Sequence, residues 1–88
     1  MKGINRKLDK LGRITIPSEY RKELGIKEHS TLSMLVDSNR IILEKGYEVD
    51  KLGRIEIPIN IREVLRIKEK EELNIEIEDD KIFLNKKK

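Results

Sequence analysis

The sequence predicts a mostly β fold with short helical turns, in which two copies of one motif interlock into a single domain. Three observations predict it. First, 88 residues are enough for one domain and not for two independent ones, because a compact domain usually needs ~100 residues and rarely survives below ~40. Second, the chain is a tandem duplication. Asp9-Lys10-Leu11-Gly12-Arg13-Ile14 recurs as Asp50-Lys51-Leu52-Gly53-Arg54-Ile55, and Ile16-Pro17 as Ile57-Pro58, at a constant offset of 41 residues. The match runs without a gap and gives 17 identities in 40 aligned positions from Arg6 to Lys45. Third, the apolar residues alternate in short stretches and never exceed three in a row, as in Ile41-Ile42-Leu43.

Within repeat 1, residues 5–8 and 13–16 read as two short strands around Asp9-Lys10-Leu11-Gly12, a turn in which Gly12 can take a positive φ. Pro17 ends the second strand and suits the first turn of a helix, where Tyr20 and Leu24 share a face. Gly25 supplies a left-handed stop. Leu32, Met34 and Val36 then alternate with polar or outward positions, a turn falls at Ser38-Asn39, and residues 40–43 form the last strand. Repeat 2 follows the same grammar, with Leu73, Ile75 and Ile77 as its inward set and a turn at Asp79-Asp80. Each repeat therefore reads as hairpin, helical turn, hairpin. Arg66 stands where repeat 1 has Gly25, so the second helix ends either in a strained left-handed residue or differently. The repeats span residues 1–46 and 47–88. Neither encloses a core alone, since four short strands leave open edges, but eight strands can close into a barrel.

Composition excludes several functions. There is no cysteine, hence no disulfide, thiolate metal site or cysteine nucleophile. The short apolar runs leave no room for a membrane span or a secretory signal, so a cytoplasmic protein is expected. His29 is the single histidine, without a second imidazole beside it. Ser18, Ser30, Ser33 and Ser38 lack a base partner. No catalytic residue, metal site or cofactor is expected, and the chain is not read as an enzyme.

The run from Arg6 to Pro17, followed by Arg21-Lys22, Leu24-Gly25-Ile26 and a closing hairpin, resembles the AbrB/MazE/SpoVT family. The resemblance covers essentially all of each repeat. It implies a swapped-hairpin AbrB-like barrel, here a pseudo-dimer built from two repeats in one chain. It also implies a DNA-binding transcriptional regulator, nucleoid-associated, with double-stranded DNA as partner. By the same resemblance, DNA-contacting cations fall on Arg6, Arg13, Arg21 and Lys22, and in repeat 2 on Arg54 and Arg62, and Lys7 joins the repeat 1 cluster by its charge. The other repeat 2 equivalents are Tyr47, Glu48 and Glu63, which have lost the positive charge.

Charge counting reaches this asymmetry independently. Residues 1–46 hold ten Lys+Arg and six Asp+Glu, net +4, whereas residues 47–88 hold ten and eleven, net −1. Arginines and lysines concentrated in repeat 1 can release condensed counterions from phosphates, so repeat 1 is expected to dominate binding and Arg13 to outweigh Arg54. Two further readings accompany this one. An antitoxin-like protein-interaction module of the MazE type, with a toxin partner, is the weaker alternative. A homodimer through exchange of repeats between chains is compatible with the same pattern. Lys86-Lys87-Lys88 reads as a frayed cationic tail.

Overall fold

The first strand of repeat 1 finds its partner in repeat 2. The computed structural model describes residues 3–27, 33–44 and 49–86. Along the chain it carries β1 (Ile4–Lys7), β2 (Arg13–Thr15), α1 (Ser18–Leu24), β3 (Met34–Asp37), β4 (Arg40–Leu43), β5 (Arg54–Glu56), α2 (Ile59–Leu65), β6 (Glu72–Glu78) and β7 (Lys81–Lys86). β1 lies antiparallel to β6, with Ile4 opposite Ile75 and Lys7 opposite Glu72. β2 pairs with β5, and β4 with β7. A five-stranded sheet of order β1-β6-β7-β4-β3 and a two-stranded ribbon β2-β5 result. The fold is mostly β, as the alternation predicts.

Within repeats, the closing hairpins β3–β4 and β6–β7 form as expected. The opening hairpin of repeat 1 does not: β1 and β2 share no ladder, and only the turn between them is closed by hydrogen bonds. Asp9 N–H donates to Arg13 O (2.9 Å), while Asp9 Oδ1 accepts from the N–H groups of Leu11 (2.9 Å) and Arg13 (2.8 Å). The turn is thereby satisfied by its own aspartate, as short polar side chains do in Asx turns. β1 and β2 then diverge, and the pairing edge of β2 goes to β5, where Ile14 meets Ile55. The predicted Leu32, His29, Ser30, Tyr47 and Glu48 positions lie outside the described residues, as do Lys87 and Lys88.

Both repeats contribute to one core. Ile14, Ile16, Ile41 and Leu43 from the first and Ile55, Ile57, Leu73, Ile75, Ile82 and Leu84 from the second are each at most 1% exposed. Among the described residues no polar or charged side chain is buried with them. The repeats differ at the sheet edge. Interior strand β6 buries Leu73, Ile75 and Ile77, but β3 is the edge strand, with Met34 half-buried and Val36 exposed, contrary to its predicted inward place. Val36 stands on the outermost strand of the sheet, whereas β6 lies between β1 and β7.

The two helices start after Pro17 and Pro58, which share φ of −53°. They bury Tyr20 and Leu65 respectively and end in left-handed residues, Gly25 at φ 68° and Arg66 at φ 57°. Arg66 thus takes the strained geometry, its N–H bonding Glu63 O (3.2 Å) and that of Ile67 bonding Arg62 O (2.8 Å). Lys86, predicted to fray, instead ends β7 and donates to Leu65 O (3.0 Å) and Arg66 O (2.8 Å), a cation placed at the negative end of α2. No helix among the described residues is long and apolar enough to cross a membrane.

Candidate nucleic-acid interface

The ribbon β2–β5 presents one face to the core and one to solvent. Ile14 and Ile55 point inward, so the flanking pairs must point outward: Arg13 opposite Glu56, and Thr15 opposite Arg54. Directly opposed side chains of an antiparallel pair have Cβ atoms ~4.5–5.5 Å apart, close enough for their charges to be felt.

Each outward arginine is oriented by the turn that precedes it. Asp9 Oδ2 accepts from Arg13 Nε at 2.9 Å, and Asp50 Oδ2 from Arg54 Nε at 2.8 Å. Asp50 Oδ1 also takes the N–H groups of Leu52 and Arg54, both at 2.9 Å, repeating the arrangement at Asp9. Partial burial pushes both carboxyls up. The hydrogen bonds from the following arginine's backbone and guanidinium, and from the leucine N–H, outweigh it and hold Asp9 and Asp50 below the ordinary aspartate value. One guanidinium N–H is thus spent on fixing the side chain, and the rest of the fork remains positioned beside the ribbon.

The turns are sewn to the helices of the opposite repeat. Ile57 N–H, just ahead of α2, donates to Gly12 O (2.8 Å), and Ile16 N–H, just ahead of α1, donates to Gly53 O (2.8 Å). Arg62 Nε then bonds Ile57 O (2.8 Å) and lays its guanidinium over Gly12, while Arg21 Nε bonds Ile16 O (3.0 Å) and lays its guanidinium over Gly53. Gly12 and Gly53 have φ of +80° and +76°, and a Cβ on either would overlap the arginine resting there. Glycine is needed at both positions for backbone conformation and for close approach.

Arg13, Arg54, Arg21 and Arg62 are therefore brought together around one exposed ribbon. Lys22 lies next to Arg21 and is exposed on α1. Arg6 and Lys7 are exposed on β1, in the other sheet, where Arg6 Nη1 bonds Asn5 O (2.9 Å) and Lys7 faces Glu72. The sequence reading treats Arg21 and Arg62 as surface cations and overlooks that they also fasten the repeats together. Their identity at the repeat offset, beside the divergent pair Lys22 and Glu63, was the available signal. It also overlooks Thr15 and Glu56, whose opposition to the arginines depends on the register between repeats.

The ribbon thus carries two arginines oriented by their turns and is bonded to the starts of both short helices. Residues 6–47, essentially repeat 1, match the family model described as "Antidote-toxin recognition MazE, bacterial antitoxin". The chain is 54% identical over 43 residues to the transition state regulatory protein AbrB of Bacillus subtilis (strain 168), covering 49% of this chain and 45% of that protein. It is 44% identical over 43 residues to the putative transition state regulator Abh of the same organism, covering 49% and 47%. To its stage V sporulation protein T it is 42% identical over 45 residues, covering 51% and 25%. Through this unit the chain is similar to members of the AbrB/MazE/SpoVT family. It spans about half the length of AbrB and Abh and a quarter of the sporulation protein. No solved structure matches it.

Proposed function

We propose that the chain is a DNA-binding transcriptional regulator of the AbrB type, gripping duplex DNA through Arg6, Lys7, Arg13, Arg21, Lys22, Arg54 and Arg62, with repeat 1 supplying most of the charge. The observation that carries this reading is the convergence of four oriented arginines on one solvent-facing ribbon. Two similar proteins named as transition state regulators support it. Guanidinium forks suit phosphate oxygens and the acceptor edge of guanine alike. Such a protein acts in the cytoplasm, associated with the nucleoid, as a single interlocked domain of the two repeats or as a homodimer exchanging them.

The test is fluorescence anisotropy on a selected and a scrambled duplex across several salt concentrations. Affinity should fall linearly with salt on logarithmic axes, and replacing Arg21 and Lys22 by Ala should lower the slope by about 1 for each phosphate no longer neutralised. Absence of salt-dependent binding on any duplex would favour the second reading, an antitoxin-like protein-interaction module, which the family description of residues 6–47 supports.

A further inference from the structure

Repeat 1 holds the charge surplus, but the fold does not keep a repeat's residues together. The turn at residues 9–13 is bonded to the start of α2, and the turn at residues 50–54 to the start of α1. The exposed face therefore divides into two mixed halves. One combines Arg13 with Arg62, and it also receives Glu56 opposite Arg13 and Glu63 beside Arg62. The other combines Arg54 with Arg21 and Lys22, and Arg54 faces Thr15, an uncharged residue. Divergence between repeats thus places Glu56 and Glu63 in the same half, although neither stands next to the arginine of its own turn.

We propose that the face binds duplex DNA in one fixed orientation, with Glu56 and Glu63 as the residues that set it. The inference rests on the DNA-binding reading above. In the Arg54–Arg21–Lys22 half the exposed Glu19 and Glu23 lie on α1, while across the ribbon Arg54 faces no carboxylate and is free to hold a phosphate. In the Arg13–Arg62 half, two exposed carboxylates repel phosphates and turn the grip outward to Arg6 and Lys7, which precede that turn on β1. A pseudo-twofold protein thereby recognises a site lacking twofold symmetry. The order expected from charge counting reverses, and Arg54→Ala weakens binding more than Arg13→Ala.

Glu56→Thr and Glu63→Lys install the residues that repeat 1 has at the equivalent positions, and both glutamates are exposed, so the fold is retained. Each change should tighten binding about 1.4- to 5-fold, the range of one exposed charge pair, and Thr15→Glu should weaken it similarly. Orientation is read from a duplex selected from a randomised library. Because the chain has no cysteine, an iron chelate can be attached at Lys10→Cys or Lys51→Cys to cleave nearby DNA. The expected result is a non-palindromic site that each probe cuts at one end, becoming cleavage at both ends in the Glu56→Thr/Glu63→Lys double variant. A palindromic site, wild-type cleavage at both ends, or a pattern unchanged by the double variant would overturn the proposal while leaving DNA binding intact. Failure of the unsubstituted chain to bind any duplex would instead remove the DNA-binding reading itself.

Discussion

Gly12→Ala tests the seam between the repeats because it acts on two separable energies. Gly12 sits at φ +80°, where a Cβ costs about 1–2 kcal/mol. The added methyl also meets the Arg62 guanidinium. That group ends a flexible side chain, so it can move aside, and what it forfeits is its 2.8 Å bond to Ile57 O, worth about 0.5–1.5 kcal/mol net. The sum is about 1.5–3.5 kcal/mol, a large share of the roughly 4–13 kcal/mol expected for an 88-residue domain. Urea denaturation of wild type, Gly12→Ala, Arg62→Ala and the double variant separates the two. In the Arg62→Ala background only the backbone part should remain, leaving a coupling of about 0.5–1.5 kcal/mol. A Gly12→Ala cost independent of the residue at 62 would refute the placement of Arg62 over Gly12. The same cycle at Gly53 and Arg21 should give a matching coupling.

Arg66→Gly should stabilise the fold by about 1 kcal/mol, since Arg66 is held at φ 57°, and a rise in denaturation midpoint checks it. In acid, Asp9 and Asp50 have folded-state values lowered from 3.8, so their contribution is fully present above that value and is lost as pH falls through the lowered one. Acid unfolding should accordingly show a steeper loss below about pH 4 than in Asp9→Asn/Asp50→Asn, as circular dichroism would record. Deleting residues 47–88 removes the partners of β1, β2 and β4, so the fragment should be unfolded or dimeric by light scattering; a stable folded monomer would contradict the strand pairing.

Local chemistry was legible in the sequence where a single residue decides the backbone. Pro17 and Pro58 fix the helix starts, Gly12 and Gly53 the turns, and Ser38 and Asp79-Asp80 the closing hairpins, with positive φ at all three of the latter. Alternation identified the inward face of β6. It did not identify partners, because a period of two tells which side of a strand is apolar and nothing of the strand it lies beside. For that reason the opening strands read as a hairpin, and Val36 as an inward residue. The candidate arginines were named from the family resemblance, and only Arg13 and Arg54 also from their place after the turn glycines. Their neighbours were not: that Glu56 meets Arg13, and Thr15 meets Arg54, follows only from the register of β2 on β5.

The pairing of β1 with β6 has a consequence for how the chain is made. Ile4 waits for Ile75, so the first strand cannot be paired until some seventy further residues have emerged from the ribosome. Such distant contacts slow folding, and until then repeat 1 exposes apolar side chains that a neighbouring nascent chain could capture as readily as its own second half. Covalent fusion biases that competition. A short connection holds the second repeat near the first at a millimolar effective concentration, far above that of another chain in dilute solution. Self-pairing is thus set by the tether at low expression and contested by exchange only when many copies are synthesised close together.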